Sequence, residues 1–166
     1  MKKSKIYLES SALWNLYYEK EGAALVEFCL ETEEVTCFSS TWSILELHRG
    51  IQKRLNQQEL NPEEAKNLRN FVDFDLQLLV AKKKLILCAV SESIINQAKL
   101  YIPQYNLFAS DALHLATALI ENSTGLLVDD YHFTRLDTRI RDKEDQIIWP
   151  TSLEVEEFLS KLPFTA

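Results

Sequence analysis

The chain has 166 residues, 46% hydrophobic and 26% charged, with a net charge of −7. That length suits a single domain over 1–166, large enough to bury a core without disulfide or metal staples. The acidic balance excludes tight, non-specific nucleic-acid binding through a basic surface. It leaves open an encounter with a phosphodiester through a bound cation, which inverts the local electrostatics.

Ile6-Tyr7-Leu8 reads as a short strand ended by Glu9-Ser10-Ser11. Ala12 to Glu19 reads as a helix capped by Ser10 or Ser11, and Gly22 breaks it before a second helix over Ala23 to Glu31. Val35 to Phe38 is a β-rich run that stops at the cap signal Ser39-Ser40, and a helix follows from Thr41 to about Leu55. Asn61-Pro62-Glu63-Glu64 opens a helix to about Val80, with Pro at the first helical position and acids in the first turn. Leu85 to Leu87 is a third strand, and Ser91-Glu92-Ser93 opens a helix to about Tyr101. Ala109 to Ile120 is a helix apolar on nearly every face, which calls for cover on most sides. Leu126-Leu127-Val128 is a buried strand that ends in Asp129-Asp130. Ile147 to Trp149 is the last strand, stopped by Pro150, and Ser152 starts a closing helix to about Leu162, just before Pro163.

Short apolar strands alternating with helices of about ten or more residues call for βαβ units. The expected fold is therefore α/β, a three-layer α/β/α sandwich around a central, mainly parallel sheet. No internal repeat or linker divides it. Neither GxGxxG nor GxxxxGK[ST] occurs, which argues against a nucleotide-binding loop. No apolar run approaches the ~20 residues that span a bilayer, and no secretory h-region opens the chain. Cys29, Cys37 and Cys88 are an odd count without CxxC spacing, so they read as buried free thiols of a cytoplasmic protein.

Ligands of open α/β sheets bind outside the carboxyl ends of the strands. Glu9 and the Asp129-Asp130 pair stand at such ends, and Asp111 starts the apolar helix. Glu9 alone reads equally as a helix-start carboxylate favoured by the helix dipole. Asp111 alone reads as a capping acid in partly desolvated surroundings. Glu46 lies nearly opposite the stripe Ile44, Leu47, Ile51 and Leu55 on a helical wheel, beside Trp42 and Leu45, where pairing with Arg49 is the plain alternative. His48, His114 and His132 lack metal-ligand spacing, and His114 on its apolar helix reads as a satisfied core histidine. No cysteine has a nearby base in sequence, and no GxSxG elbow occurs. Phe71 and Phe74, with Val72 and Leu76, read as helix core. The basic groups Lys2, Lys3 and Lys5, Lys82 to Lys84, and Arg135, Arg139 and Arg141 read as solvated faces.

Four segments in order resemble the PIN-domain family, the metal-dependent ribonuclease fold of many stand-alone bacterial toxins. They are Ile6-Tyr7-Leu8-Glu9-Ser10-Ser11-Ala12-Leu13, Ser39-Ser40 through Leu45-Glu46-Leu47-His48-Arg49-Gly50, Ser110-Asp111-Ala112-Leu113-His114-Leu115-Ala116-Thr117-Ala118, and Leu126-Leu127-Val128-Asp129-Asp130-Tyr131-His132-Phe133. An acid three residues before Phe selects Asp130 over Asp129. The resemblance runs from Lys5 to about Leu159. It departs at Glu9, where the family carries Asp, and at Val128, where a hydroxyl residue is common.

The resemblance implies an endoribonuclease that uses Mg²⁺ or Mn²⁺, with Glu9, Glu46, Asp111 and Asp130 as catalytic acids. Asp111 and Glu9 would bind metal directly, Glu46 and Asp130 through water or as the rest of the shell, and Ser11 would orient substrate or water. It also implies an RNA substrate, a toxin role with an antitoxin protein as partner, and the homodimer common in the family; no membrane is expected, because no apolar run is long enough to span one. The alternative is a PIN-fold module impaired in catalysis, motivated by Glu9, that binds RNA or protein.

Overall fold

A computed structural model describes residues 3–18, 21–136, 140–141 and 147–162. The strands are β1 (Ser4–Leu8), β2 (Val35–Ser40), β3 (Leu85–Cys88), β4 (Gly125–Val128) and β5 (Ile147–Pro150). The described helices are α1 (Ser10–Trp14), α2 (Ala23–Glu31), α3 (Trp42–Asn56), α4 (Pro62–Ala81), α5 (Glu92–Tyr105), α6 (Ala109–Ile120), the single turn α7 (Tyr131–Thr134) and α8 (Val155–Lys161). The expected helix end at Glu19, the stop at Pro163, and Lys2 and Arg139 lie outside the described residues.

The strands form one sheet in the order β3-β2-β1-β4-β5, and every pairing is parallel. Side-chain alternation along the central strands feeds two cores. Ile6, Leu8, Cys37 and Leu127 join buried residues of α1, α2, α3, α4 and α8 on one face. Tyr7, Phe38, Leu126 and Val128 join α5, α6 and Phe133 of α7 on the other. The fold is the three-layer α/β sandwich read from the alternation of elements, and among the described residues its sheet is wholly parallel. No described helix is long and apolar enough to cross a membrane.

Several local details depart from expectation. The cap of α1 is Glu9 itself, whose carboxylate accepts from the Ser11 N–H, rather than either serine. The helix then ends after Trp14, and i→i+3 bonds from Leu16 and Tyr17 take the chain into turns. Helix α5 runs through Pro103 to Tyr105, four residues beyond its expected end. Proline there forfeits one backbone bond, and Tyr101 and Tyr105, both buried in the second core, hold the helix across it. It stops at Asn106, whose φ of +52° lies in the left-handed region. Phe71 and Phe74 are exposed, whereas Val72 and Leu76 are buried. The buried stripe of α4 is Ala65, Val72 and Leu76, and the two rings flank it; Phe71 packs edge-on against Tyr17. All three cysteines are free, but Cys88 is only half-buried. Helix α8 starts three residues later than expected, after a turn through Thr151 and Ser152.

Gly22 caps α2 with φ +85°. A Cβ there would sit 2.5 Å from Thr151 Oγ1 and 2.9 Å from Asn15 Nδ2. Gly22→Ala combines left-handed strain with an overpacked contact, so a loss of about 3 kcal/mol is expected in denaturant unfolding. A loss below about 1 kcal/mol would show that this corner yields freely.

Candidate metal centre

The carboxyl end of β1 delivers Glu9, and the end of β4 delivers Asp129 and Asp130, because β1 and β4 pair in register from Ile6↔Gly125 to Leu8↔Leu127. The starts of α3 and α6 bring Glu46 and Asp111 to the same edge. Glu9, Glu46, Asp111 and Asp130 all line one cleft of about 290 Å³, with Ser10, Ser11, Trp14, Leu47, Gly50, Lys53 and Arg54.

Glu9 is buried, at 4% exposure. Its Oε1 accepts from Ser10 Oγ at 2.6 Å, and its Oε2 accepts from the Ser11 N–H at 2.8 Å and from Ser11 Oγ. Ser11 Oγ in turn accepts the Asp129 N–H at 2.8 Å, which ties the end of β4 to the start of α1. The two aspartates then divide. Asp129 is exposed and its carboxylate takes the Asn15 amide at 3.2 Å. Asp130 lines the cleft, and its carbonyl accepts from the N–H groups of Phe133 and Thr134, opening α7. The fully buried Phe133 fixes that turn.

Glu46 does not face open solvent, although its wheel position lies opposite the apolar stripe. Its side faces α6. Glu46 Oε1 accepts from Ser110 Oγ, and Oε2 bonds His114 Nε2. Ser110 Oγ also accepts from Trp42 Nε1 at 3.0 Å, and His114 Nδ1 bonds the Tyr7 hydroxyl at 2.6 Å. His114 is fully buried, as expected of a core histidine, but one of its two partners, Glu46, belongs to the acid cluster. The sequence reads it as core and leaves it outside the candidate site. The available signal was spacing: Ser110 and His114 stand at i,i+4 on α6, one turn apart on one face.

The titrations follow from this crowding. Burial, then the charges of Glu9 and Asp130, push Asp111 up to about 7. Burial would raise Glu46 too, but hydrogen bonds from His114, Ser110 and Ser10 and the His114 charge outweigh it and hold Glu46 below the usual carboxylate range. Burial alone would lower His114, yet the Glu46 bond and the charges of Glu9, Glu46 and Asp111 raise it. Burial and the Glu9 charge keep the Tyr7 phenol protonated far above its ordinary range.

Ligand atoms of Glu9, Glu46 and His114 converge within 4.8 Å of one another. Two acidic oxygens face Nε2, with Glu9 Oε1 at 3.5 Å. A proton on Nε2 satisfies both, whereas a bare lone pair there would face two carboxylates. The imidazole is therefore a partner of the acids, and the open donor set of the cleft is all oxygen. Four carboxylates around one cleft suit a hard divalent cation.

A PIN domain family model matches residues 6–139. No curated protein matches the chain. Solved structures resemble it in fold. FitAB bound to an IR36 DNA fragment has a TM-score of 0.60 at 17% identity, over 90% of this chain and 96% of that one. VapBC2 from Rickettsia felis, bound to a DNA fragment from its promoter, has a TM-score of 0.58 at 14% identity, over 88% and 98%. A toxin-antitoxin complex from Klebsiella pneumoniae has a TM-score of 0.55 at 17% identity, over 75% and 86%. The family model spans the sheet edge and every acid of the cleft, and the chain belongs to the PIN domain family.

Proposed function

We propose that the chain is a Mg²⁺- or Mn²⁺-dependent endoribonuclease and the toxin of a toxin–antitoxin pair. The observation that supports this reading best is the meeting of Glu9, Glu46, Asp111 and Asp130, from four remote segments, around one cleft. A toxin-antitoxin complex among the structural neighbours supports the proposed partner.

In this reading Asp111 and Glu9 would hold the cation directly, while Glu46 and Asp130 would complete its shell or reach it through water. A divalent ion held there would supply polarisation of the phosphodiester and a water nucleophile at neutral pH. Ser11 keeps the Glu9 carboxylate in place from both its N–H and its hydroxyl. Lys53 on the cleft wall offers positive charge to phosphate oxygens beside the acids. Purified protein, freed of any antitoxin, is expected to cleave RNA with Mn²⁺ and to stop when EDTA is added. Diverse RNAs left intact in Mn²⁺ would overturn the proposal.

One observation favours a second reading, a module impaired in catalysis. Glu9 replaces the shorter acid of the family, and both its oxygens already accept hydrogen bonds from Ser10 and Ser11. On this reading Glu9→Asp creates no activity and Mn²⁺ leaves the melting temperature unchanged. A Mn²⁺-dependent rise at millimolar concentration or below counts against it, since a ligand that binds only the folded state raises stability.

A further inference from the structure

We infer that Tyr7 and His114 on one side, and Trp42 and Ser110 on the other, are positioning residues that lock the Glu46 carboxylate for the cation of the cleft. The inference rests on the four-acid reading above and adds residues that lie outside the acid set.

Glu46 is held at both oxygens. One arm runs from the Tyr7 hydroxyl through the two ring nitrogens of His114 to Oε2, and the other runs from the Trp42 indole through Ser110 Oγ to Oε1. The first arm is wholly inside the protein: Tyr7 and His114 are both fully buried, in the core between sheet and α6. Polar groups at such depth are costly unless satisfied, and here each bond of the arm leads to the next and finally to the cleft. A glutamate side chain has several rotatable bonds, and its rotamer freedom is lost when it is fixed. The clamp removes that freedom on folding, before any ion arrives. Each carboxylate oxygen keeps a further acceptor site that can face the cleft. Partners of this kind change metal affinity by about 10–100-fold in other metal sites.

The test is a Mn²⁺ titration of the full chain, read by electron paramagnetic resonance. Tyr7→Phe removes one hydroxyl and keeps the ring, so its circular dichroism in EDTA should match wild type while Mn²⁺ binds about tenfold more weakly. Ser110→Ala breaks the other arm and should act in the same direction. On a Glu46→Gln background neither change should weaken binding further, because an effect carried by Glu46 is lost with it. The spin-echo spectrum should show no directly bound imidazole nitrogen. Wild-type affinity in both Tyr7→Phe and Ser110→Ala overturns the inference, as does equal weakening with and without Glu46, or a nitrogen ligand signal from His114. A wild-type chain that binds no Mn²⁺, or a Glu46→Gln variant with unchanged affinity, sinks the four-acid reading itself and the clamp with it.

Discussion

Asp111→Asn is expected to abolish RNA cleavage, lowering the rate by about 100-fold or more, while making the protein in EDTA more stable. The two effects have one cause. Burial and the charges of Glu9 and Asp130 disfavour the ionised Asp111 carboxylate and push it up to about 7. An amide of nearly the same shape removes the repelled charge and, on the proposed function, one direct carboxylate ligand of the cation. At pH 8 the relief should be about 2 kcal/mol, allowing for solvent screening in an open cleft. For a chain of this size that is a rise of roughly 4–8 °C in melting temperature. Mn²⁺ should stabilise wild type and leave the variant unmoved. A variant that cleaves RNA at the wild-type rate removes Asp111 from the catalytic set. One that melts below wild type in EDTA shows that the carboxylate is stabilising rather than strained.

The second large effect is a pH profile that runs opposite to ordinary acid denaturation. Asp111 carries a raised value in the folded protein, about 7 against an ordinary 3.8, so the folded state binds more protons between those limits. Stability must then fall as pH rises through that window. His114 acts in the same direction. Its folded value is raised, so its contribution is complete below 6.5 and is lost as pH rises through the higher folded value. Glu46, with a lowered value, opposes them only under more acid conditions: its contribution is present above 4.5 and fades as pH falls below that. In EDTA the melting temperature should therefore decline from about pH 5 to 7 by several degrees. Asp111→Asn should flatten most of that slope. Mn²⁺ should reverse it, because metal binding needs deprotonated carboxylates. A wild-type profile in EDTA that is flat or rising over this range contradicts the crowded-acid picture.

The order of strands and helices was legible in the chain because β1 and β4 are buried on both faces around the apolar runs Ile6-Tyr7-Leu8 and Leu126-Leu127-Val128. Boundaries were legible where a cap is local, as at Asn61, whose side chain and that of Glu64 form a capping box. They were not legible where tertiary packing decides. Pro103 signals an end to a helix, but buried tyrosines on either side carry α5 through it. Phe71 and Phe74 signal a core, but an amphipathic helix of 20 residues buries one stripe and leaves its flanks outside. Asp130 and Glu9 could be placed at one edge from strand ends alone. The environment of Glu46 could not, because it depends on which helix lies across from α3. A wheel reports the face of its own helix, and the partners Ser110 and His114 arrive from 64 and 68 positions away.

The sheet order carries one more consequence. Strand β1 leaves the ribosome more than a hundred residues ahead of its neighbour β4. Contacts between such distant parts of a polypeptide form late and slowly. A growing chain that has not yet emitted Asp130 can hold at most three corners of the cleft. The four-acid cleft is therefore completed only once Asp130 has emerged, more than a hundred residues after Glu9.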